Sequence, residues 1–325
     1  MIEKLAPNRV RRTYLGGSNI NAFTGFFADT SDGLPRPEDW TASVTRAFNG
    51  AVEIEGEGLG ATVSGKLIKD IAGENLPILV KLLDSDERLV VQAHPTVEYA
   101  KRLLNSDFGK TECWYFLTCT EDACVYLGFK KGITKQAFVE AFHSRDGEKI
   151  LSLLHKIPVK QGDFVFVDGG VPHAIGKGCF MVELQEPSDL MVVAEHITPS
   201  GRILPEAKLH MGLGFEEMFN VYDYTGYDLD TIKEKYCPEP IKVKEGVYEI
   251  VSKRLTEKFS MYRLSGDATL ELPKSRQNAV IVVTKGSGAV TTPSDCISIS
   301  KGDRLFSSGE PTIKLSGNAE AVICF

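Results

Sequence analysis

The sequence predicts a mainly β protein, built as a sandwich or a barrel. Short apolar or alternating runs recur between residues 76 and 185, separated by Gly, Asp and Pro, and a second β-rich block begins near residue 240. So many short strands with frequent turns favour this class over alternating βαβ units. The strand-like runs are LPILVKLLD (76–84), LVVQAH (89–94), TECWYFLTC (111–119), CVYLGF (124–129), DFVFVDG (163–169) and GCFMVELQ (178–185).

Helical spacing is confined to a few segments. The segment PTVEYAKRLLNS opens with Pro95, which the first turn of a helix tolerates, and TKQAFVEAFHSR opens with Thr134, a helix-capping residue. We expect GEKILSLLHK (147–156) to continue as helix. The sequence therefore predicts helical inserts at about 95–107 and 134–156, and a helical or mixed stretch at about 203–219.

Composition narrows the functional class. The chain has 325 residues, 42% of them hydrophobic and 25% charged, which is typical of a soluble globular protein. A formal net charge of −7 argues against a nucleic-acid partner, and no apolar run has the length of a membrane span. Seven scattered cysteines without a CxxC pair predict reduced thiols and a cytoplasmic location. Oligomeric state is left open.

The two parts of the chain differ in their histidine content. All six histidines precede residue 211, so an imidazole-based site must lie in the first part. We predict a metal-binding domain at 1–235 and a C-terminal β-domain at 236–325 that lacks histidine. The segment KGDRLF near residue 301 echoes QGDFVF near residue 161, which suggests two related β-barrels.

Four polar residues suggest a metal site in the first domain. Gln92 and His94 are two apart on a strand, so their side chains share a face. We expect Glu112 and His173 to lie on other strands, where they could close a set of nitrogen and oxygen ligands that suits Zn2+. The alternatives are a polar patch on an ordinary sheet and a surface histidine after the Gly-Gly turn.

These stretches resemble the two motifs of the cupin superfamily. The segment 161–178 is similar to the second motif, G-x5-P-x-G-x2-H, with Asp168 at the proline position. Gln92-Ala-His94 resembles the first motif, with Glu112 displaced by a helical insertion. The resemblance implies a cupin (jelly-roll) barrel with a short helical insert, followed by a degenerate C-terminal cupin-like domain.

Longer segments narrow the resemblance to one family. LPILVKLLDSDERLVVQAHP, GKTECWYFL, GGVPHAIGKGCFMVELQEPSD and EDWTAS are similar to segments of the short bacterial type I mannose-6-phosphate isomerases (phosphomannose isomerases). The resemblance extends over about residues 5 to 200. It implies one Zn2+ per chain and two sets of site residues: the metal ligands Gln92, His94, Glu112 and His173, and the active-site residues Lys81, Lys110 and Glu183.

Three positions depart from the family pattern. Val193 stands where the family commonly has an arginine, Ser200 replaces the lysine after Thr-Pro, and Val90 replaces a serine. The family serine and lysine are associated with phosphate binding. Arg202 is a nearby cation that could replace them, because a guanidinium suits a phosphate, and His196 could also enter the site.

The resemblance implies an aldose–ketose isomerase that interconverts mannose 6-phosphate and fructose 6-phosphate through a cis-enediol. For the base that moves the proton we favour Glu183, with His196 as its rival. Two alternatives stay open: a metal cupin isomerase or epimerase for another sugar, and a non-catalytic sugar-binding regulatory cupin. The expected partner is a small sugar phosphate.

Overall fold

The computed structural model describes residues 1–49, 54–74 and 76–325, and the prediction of a mainly β protein is confirmed. Strands β4 (Leu79–Ser85) and β11 (Cys179–Gln185) are buried along their whole length, which is typical of strands covered on both faces. In chain order, the strands up to residue 193 are β1 (Ile2–Lys4), β2 (Arg9–Val10), β3 (Glu38–Thr41), β4 (Leu79–Ser85), β5 (Gln92–Ala93), β6 (Glu112–Cys119), β7 (Cys124–Phe129), β8 (Leu154–Pro158), β9 (Phe164–Val167), β10 (His173–Ile175), β11 (Cys179–Gln185) and β12 (Val192–Val193).

Two antiparallel sheets form this part of the molecule. One has the strand order β2-β3-β4-β11-β6-β9 and the other has the order β12-β5-β10-β7-β8. Glu112 begins β6 in the first sheet, whereas His173 begins β10 in the second sheet, where it pairs with Gln92. Side chains from both sheets therefore contribute to one interior.

The predicted C-terminal β-block forms two further sheets. Their orders are β1-β20-β17-β22-β15-β14-β13 and β16-β21-β18-β19, so the first strand of the chain joins the C-terminal sheet through pairs such as Ile2 with Ser307. The strands are β13 (Ile241–Lys244), β14 (Val247–Val251), β15 (Met261–Ser265), β16 (Ala268–Glu271), β17 (Ala279–Lys285), β18 (Ser287–Thr291), β19 (Cys296–Ser300), β20 (Arg304–Ser307), β21 (Thr312–Gly317) and β22 (Glu320–Cys324).

The helices are short and lie between the strands. Thr96 caps α3 by accepting a hydrogen bond from the Tyr99 amide, so this helix begins two residues after Pro95. Thr134 caps α4 in the same way, as predicted. The helices are α1 (Asn19–Thr24), α2 (Ile68–Ala72), α3 (Val97–Leu103), α4 (Lys135–His143), α5 (Gly147–Ser152), α6 (Glu206–His210), α7 (Phe215–Val221) and α8 (Leu229–Tyr236).

The helical prediction for 147–156 is wrong in its second half. Helix α5 ends at Ser152, and residues from Leu154 onward form β8, which pairs with β7. Apolar residues at such short spacing fit either a helix or a strand. Here residues 154–158 form a strand because they pair with the edge of β7. None of the helices in the described part of the chain is long and apolar enough to cross a bilayer.

One hydrophobic core connects the two halves of the chain. Trp114 and Phe116 of the N-terminal sheet belong to the same buried cluster as Val280 and Phe306 of the C-terminal sheet. A buried ion pair adds to this contact, since Arg304 donates to the Asp39 carboxylate over 2.8 Å. The boundary at residue 235 therefore stays a prediction, while the sheets share packing across it.

Arg304→Met is expected to lower the free energy of unfolding by about 3–5 kcal/mol, because it leaves the Asp39 carboxylate buried without its cation. Urea unfolding followed by circular dichroism measures this. The double variant with Asp39→Asn should recover part of the loss, since no buried charge then remains unpaired. A single variant as stable as the wild type would show that the pair does not hold the two halves together.

Candidate active site

Ligand-type side chains from both N-terminal sheets meet in one buried cluster. One ligand atom each from His94, Glu112 and His173 lies within 4.8 Å of the others, and all three side chains are buried. The two carboxylate oxygens of Glu112 face different rings: Oε2 lies 3.1 Å from His94 Nε2, and Oε1 lies 3.3 Å from His173 Nε2. The structure therefore brings these three predicted ligands together.

Backbone carbonyls fix the orientation of both imidazoles. His94 Nδ1 lies 2.8 Å from the Leu190 carbonyl oxygen, and His173 Nδ1 lies 2.9 Å from the Val171 carbonyl oxygen. Since a carbonyl only accepts, each Nδ1 carries the proton and each Nε2 presents a lone pair. Burial lowers the pKa of both rings, that of His94 to about 3 with help from Lys110, so both are neutral.

This arrangement fits a divalent metal ion. Two Nε2 lone pairs face an anionic carboxylate, and neither ring donates a proton to it, so a cation at this point removes the repulsion. Imidazole nitrogen and carboxylate oxygen are ligands that zinc accepts, and the carbonyl contacts are typical support for such histidines. The Gln92 side-chain nitrogen lies 3.3 Å from His173 Nε2. A half-turn of that amide presents its oxygen, which completes the predicted ligand set.

Lys110 lies directly against the ligand cluster. Its Nζ is 2.5 Å from Glu112 Oε2 and 2.7 Å from His94 Nε2. A glycine precedes it because a Cβ at position 109 would lie 2.6 Å from the Pro95 carbonyl oxygen, so only glycine allows this close approach. Burial raises the pKa of Glu112, but Lys110, His94 and His173 together outweigh it and hold that pKa well below its ordinary value. Glu112 is therefore ionised.

A second pair of buried charges lies beside the cluster. Glu183 on β11 is opposite Lys81 on β4, and Lys81 Nζ lies 3.5 Å from Glu183 Oε1 and 3.7 Å from Glu38 Oε2. Burial raises the pKa of Glu183 to about 7, against the pull of Lys81. Burial also opposes the charge of Lys81, but Glu183 and Glu38 raise its pKa. A carboxyl group that titrates near neutrality thus lies beside two ammonium groups.

Glu183 is expected to make the stability of the metal-free protein fall as pH rises. Its pKa is about 7 in the folded chain and ordinarily 4.5, so the folded state holds the extra proton between these values. The contribution is complete below pH 4.5 and is lost as pH rises through 7, on the order of 3 kcal/mol. Urea unfolding at pH 5 and pH 8 should show this loss relative to Glu183→Gln. A difference independent of pH would contradict it.

One cavity contains these groups and several others that the sequence did not single out. Lys81, Gln92, Lys110, Glu112 and Glu183 all line it. The other charged or phenolic residues in its wall are Arg12, Tyr14, Glu38, Arg88 and Asp189.

Glu38 organises one wall of the cavity. It accepts hydrogen bonds from Tyr14 and Trp40 and pairs with Arg12, whose Nε lies 3.0 Å from Glu38 Oε1. Burial would raise the pKa of Glu38, but Arg12 and Lys81 hold it far below its ordinary value. The only sequence signal was a glutamate beside the tryptophan of EDWTAS. Arg12 carried none, because its partners are distant in the sequence.

Two predicted site residues lie elsewhere. His196 packs against Phe142, with ring centroids 4.4 Å apart, and lines a separate cavity with Glu195 and Arg145. Arg202 is half-buried and its amide donates to Thr198. Neither side chain is in the wall of the cavity that contains Glu183.

Known proteins are similar to this chain in sequence and in fold. A family profile described as "Phosphomannose isomerase type I, catalytic domain" matches residues 45–114. Mannose-6-phosphate isomerase ManA of Bacillus subtilis is 28% identical over 261 residues, 79% of this chain and 77% of that protein. Probable mannose-6-phosphate isomerase GmuF of the same organism is 33% identical over 219 residues, 67% of this chain and 64% of that protein.

Solved structures extend the likeness to the whole chain. The mannose 6-phosphate isomerase from Bacillus subtilis superimposes with a TM-score of 0.74 at 23% identity, covering 100% of this chain and 99% of that one. The apo enzyme from Salmonella typhimurium gives 0.69 at 14% identity, covering 100% and 98%. At these identities the likeness shows the fold, and it confirms the cupin-type prediction.

The matching profile and the relatives indicate an aldose–ketose isomerase. The buried histidine–carboxylate cluster with its adjacent lysines is its candidate active site. In sequence and in fold, the chain is similar to the type I phosphomannose isomerases.

Proposed function

We propose that this protein is a zinc-dependent isomerase that interconverts mannose 6-phosphate and fructose 6-phosphate. The names of its relatives support the substrate pair. The observation that carries the chemistry is Glu183: a buried carboxyl group with a pKa of about 7, in the same cavity as two lysines and two of the predicted metal ligands, Gln92 and Glu112. A base of that pKa is half deprotonated at neutral pH, where it can both accept and return a proton.

Glu183 is the group we assign to proton transfer. Aldose–ketose interconversion moves one proton between C2 and C1 of the open-chain sugar through a cis-enediol, and a second proton between the oxygens on these two carbons. Glu183 removes the proton from one carbon and returns it to the other, so one carboxylate on one face of the substrate is sufficient. Its position on β11, between β4 and β6, is rigid, which keeps the carboxylate fixed relative to both carbons.

The sugar oxygens gain negative charge during this transfer. The Zn2+ ion that Gln92, His94, Glu112 and His173 would hold supplies a Lewis acid for those oxygens. Lys110, whose ammonium lies 2.7 Å from His94 Nε2, is placed to donate hydrogen bonds at the same point. Lys81 keeps Glu183 close to an opposite charge, which favours return of the carboxylate after each proton transfer.

His196, the other residue that the sequence suggested as the base, has less support. His196 packs against Phe142 and lines a separate cavity, so it would need to move before it could act as the base. Glu183 needs no such movement. We therefore propose Glu183 alone for this role.

A second candidate is an isomerase for an unphosphorylated sugar. Val90 and Val193 line a second cavity that adjoins the first, and they make that wall apolar. An apolar wall does not recognise a phosphate, so this observation favours a neutral substrate end.

A substrate panel tests the proposal against this alternative. Zinc-loaded protein is incubated with mannose 6-phosphate, mannose and glucose 6-phosphate, and the ketose product is followed by proton NMR. We expect fructose 6-phosphate from mannose 6-phosphate at a kcat/KM at least about a hundredfold above that for mannose, since a phosphate bound by charged groups contributes about 3 kcal/mol. Preference for mannose would support the second candidate, and zinc-bound protein without turnover would support a regulatory sugar-binding role.

We also propose a cytoplasmic location. All seven cysteines are free thiols, and several are buried in the core. Free thiols persist where the redox environment is reducing.

A further inference from the structure

The second cavity contains a lysine that the isomerase chemistry does not use. This cavity shares Arg12, Thr13, Val90, Asp189 and Met191 with the cavity of Glu183, so the two adjoin. Lys208, on helix α6, lines only the second one. It is half-buried, and its ammonium has no hydrogen bond or ion pair with any residue in the described ranges.

The surroundings of Lys208 are mainly positive. Burial and then Arg12 lower the pKa of Lys208, Asp189 opposes them, and Arg202 lowers it further. Asp189 does not neutralise the group, because its own carboxylate pairs with Arg12 over 3.1 Å and accepts from the Phe48 amide. A half-buried cation near other cations is costly unless an anion arrives.

A ligand anion would relieve this cost. Arg12 is fixed by Glu38 and Asp189, so it contributes charge from a defined position. Lys208 is a flexible point charge with three donors, which suits a tetrahedral oxyanion. Arg202, which the sequence analysis gave as a replacement cation, adds positive charge nearby.

We propose that Lys208, supported by Arg12, forms the subsite that holds the phosphate group of the substrate. The sugar then extends past the residues that the two cavities share, toward Glu183. The apolar side chains of Val90 and Val193 pack against the sugar and do not bind the anion. The inference rests on the proposed function for its sugar, but the anion site itself does not depend on turnover.

Lys208→Gln tests the subsite, with Lys208→Arg as the charge-conserving variant and exposed Lys131→Gln as the matched control. For Lys208→Gln we expect KM for mannose 6-phosphate to rise about tenfold or more, with kcat changed little, because a charge-assisted contact to the substrate is lost. Affinity for inorganic phosphate, measured by calorimetry on zinc-loaded protein, should fall by a similar factor. Lys208→Arg should retain most of both, and Lys131→Gln should match the wild type.

The two readouts separate this inference from the proposed function. Wild-type turnover of mannose 6-phosphate, together with unchanged KM and unchanged phosphate affinity in Lys208→Gln, overturns the subsite and leaves the isomerase intact. Phosphate binding that depends on Lys208 in a protein without mannose 6-phosphate turnover supports the anion site and overturns the isomerase. Wild-type protein that binds neither phosphate nor mannose 6-phosphate overturns the subsite.

Discussion

His94→Ala is expected to abolish metal binding and to lower isomerase turnover by about a thousandfold. The ring presents a neutral Nε2 lone pair to Glu112 from a fixed position, because its Nδ1 is held by the Leu190 carbonyl. Alanine removes one of the few strong ligands in the cluster. The remaining groups cannot compensate, since Lys110 lies against the Glu112 carboxylate. Metal content after dialysis and kcat for mannose 6-phosphate are the measurements.

His143→Ala is the matched control for this experiment. His143 is the last residue of α4, is exposed and lies outside the cluster. It should keep one zinc per chain and the wild-type rate. If a His94→Ala protein retained both full metal content and full turnover, the cluster would take no part in the reaction.

Glu183→Gln is expected to lower kcat by about 10²- to 10⁴-fold while metal binding is unchanged. Glutamine keeps the size of the side chain and its place opposite Lys81, but it cannot accept a proton from carbon. Because Glu183 is not one of the clustered ligands, zinc content should match the wild type. Loss of exchange between the C2 proton and deuterated solvent gives a second readout specific to proton transfer.

Glu148→Gln on helix α5, an exposed glutamate, provides the control for the same chemical change and should leave kcat unaltered. If Glu183→Gln kept wild-type turnover and solvent exchange, another group would have to be the base. His196→Gln would then be the next variant to measure, since His196 was the rival in the sequence.

The metal-ligand cluster could be predicted because its signals are local. Alternation along the predicted strand 89–94 put Gln92 and His94 on one face, although β5 itself covers only Gln92–Ala93. Glu112 falls at the start of a strand that an apolar run identifies. His173 begins the short strand β10, which no apolar run marked, so the resemblance to the second cupin motif singled it out. Their convergence needed only the approximate sheet arrangement, which the resemblance supplied. The strand and helix predictions succeeded wherever a single period extended over enough residues, as in β7 and α4.

The features that the sequence did not predict depend on contacts between residues that are far apart in the chain. Arg12 pairs with Glu38 and Asp189, the latter 177 residues away, and no local pattern marks such contacts. Strand β1 joins a sheet whose other strands begin at residue 241, and β8 formed where helical spacing favoured a helix. Lys208 gives no sequence signal at all, because its half-burial and its missing partner exist only in the folded chain.

The most direct test of the central claim is a zinc titration of chelator-stripped protein, with fructose 6-phosphate formation from mannose 6-phosphate followed after each addition. Our account predicts no turnover in the stripped protein, a linear rise with added zinc and a plateau at one zinc per chain. Turnover in fully stripped protein at the plateau rate, or zinc bound at one per chain without turnover, would contradict it.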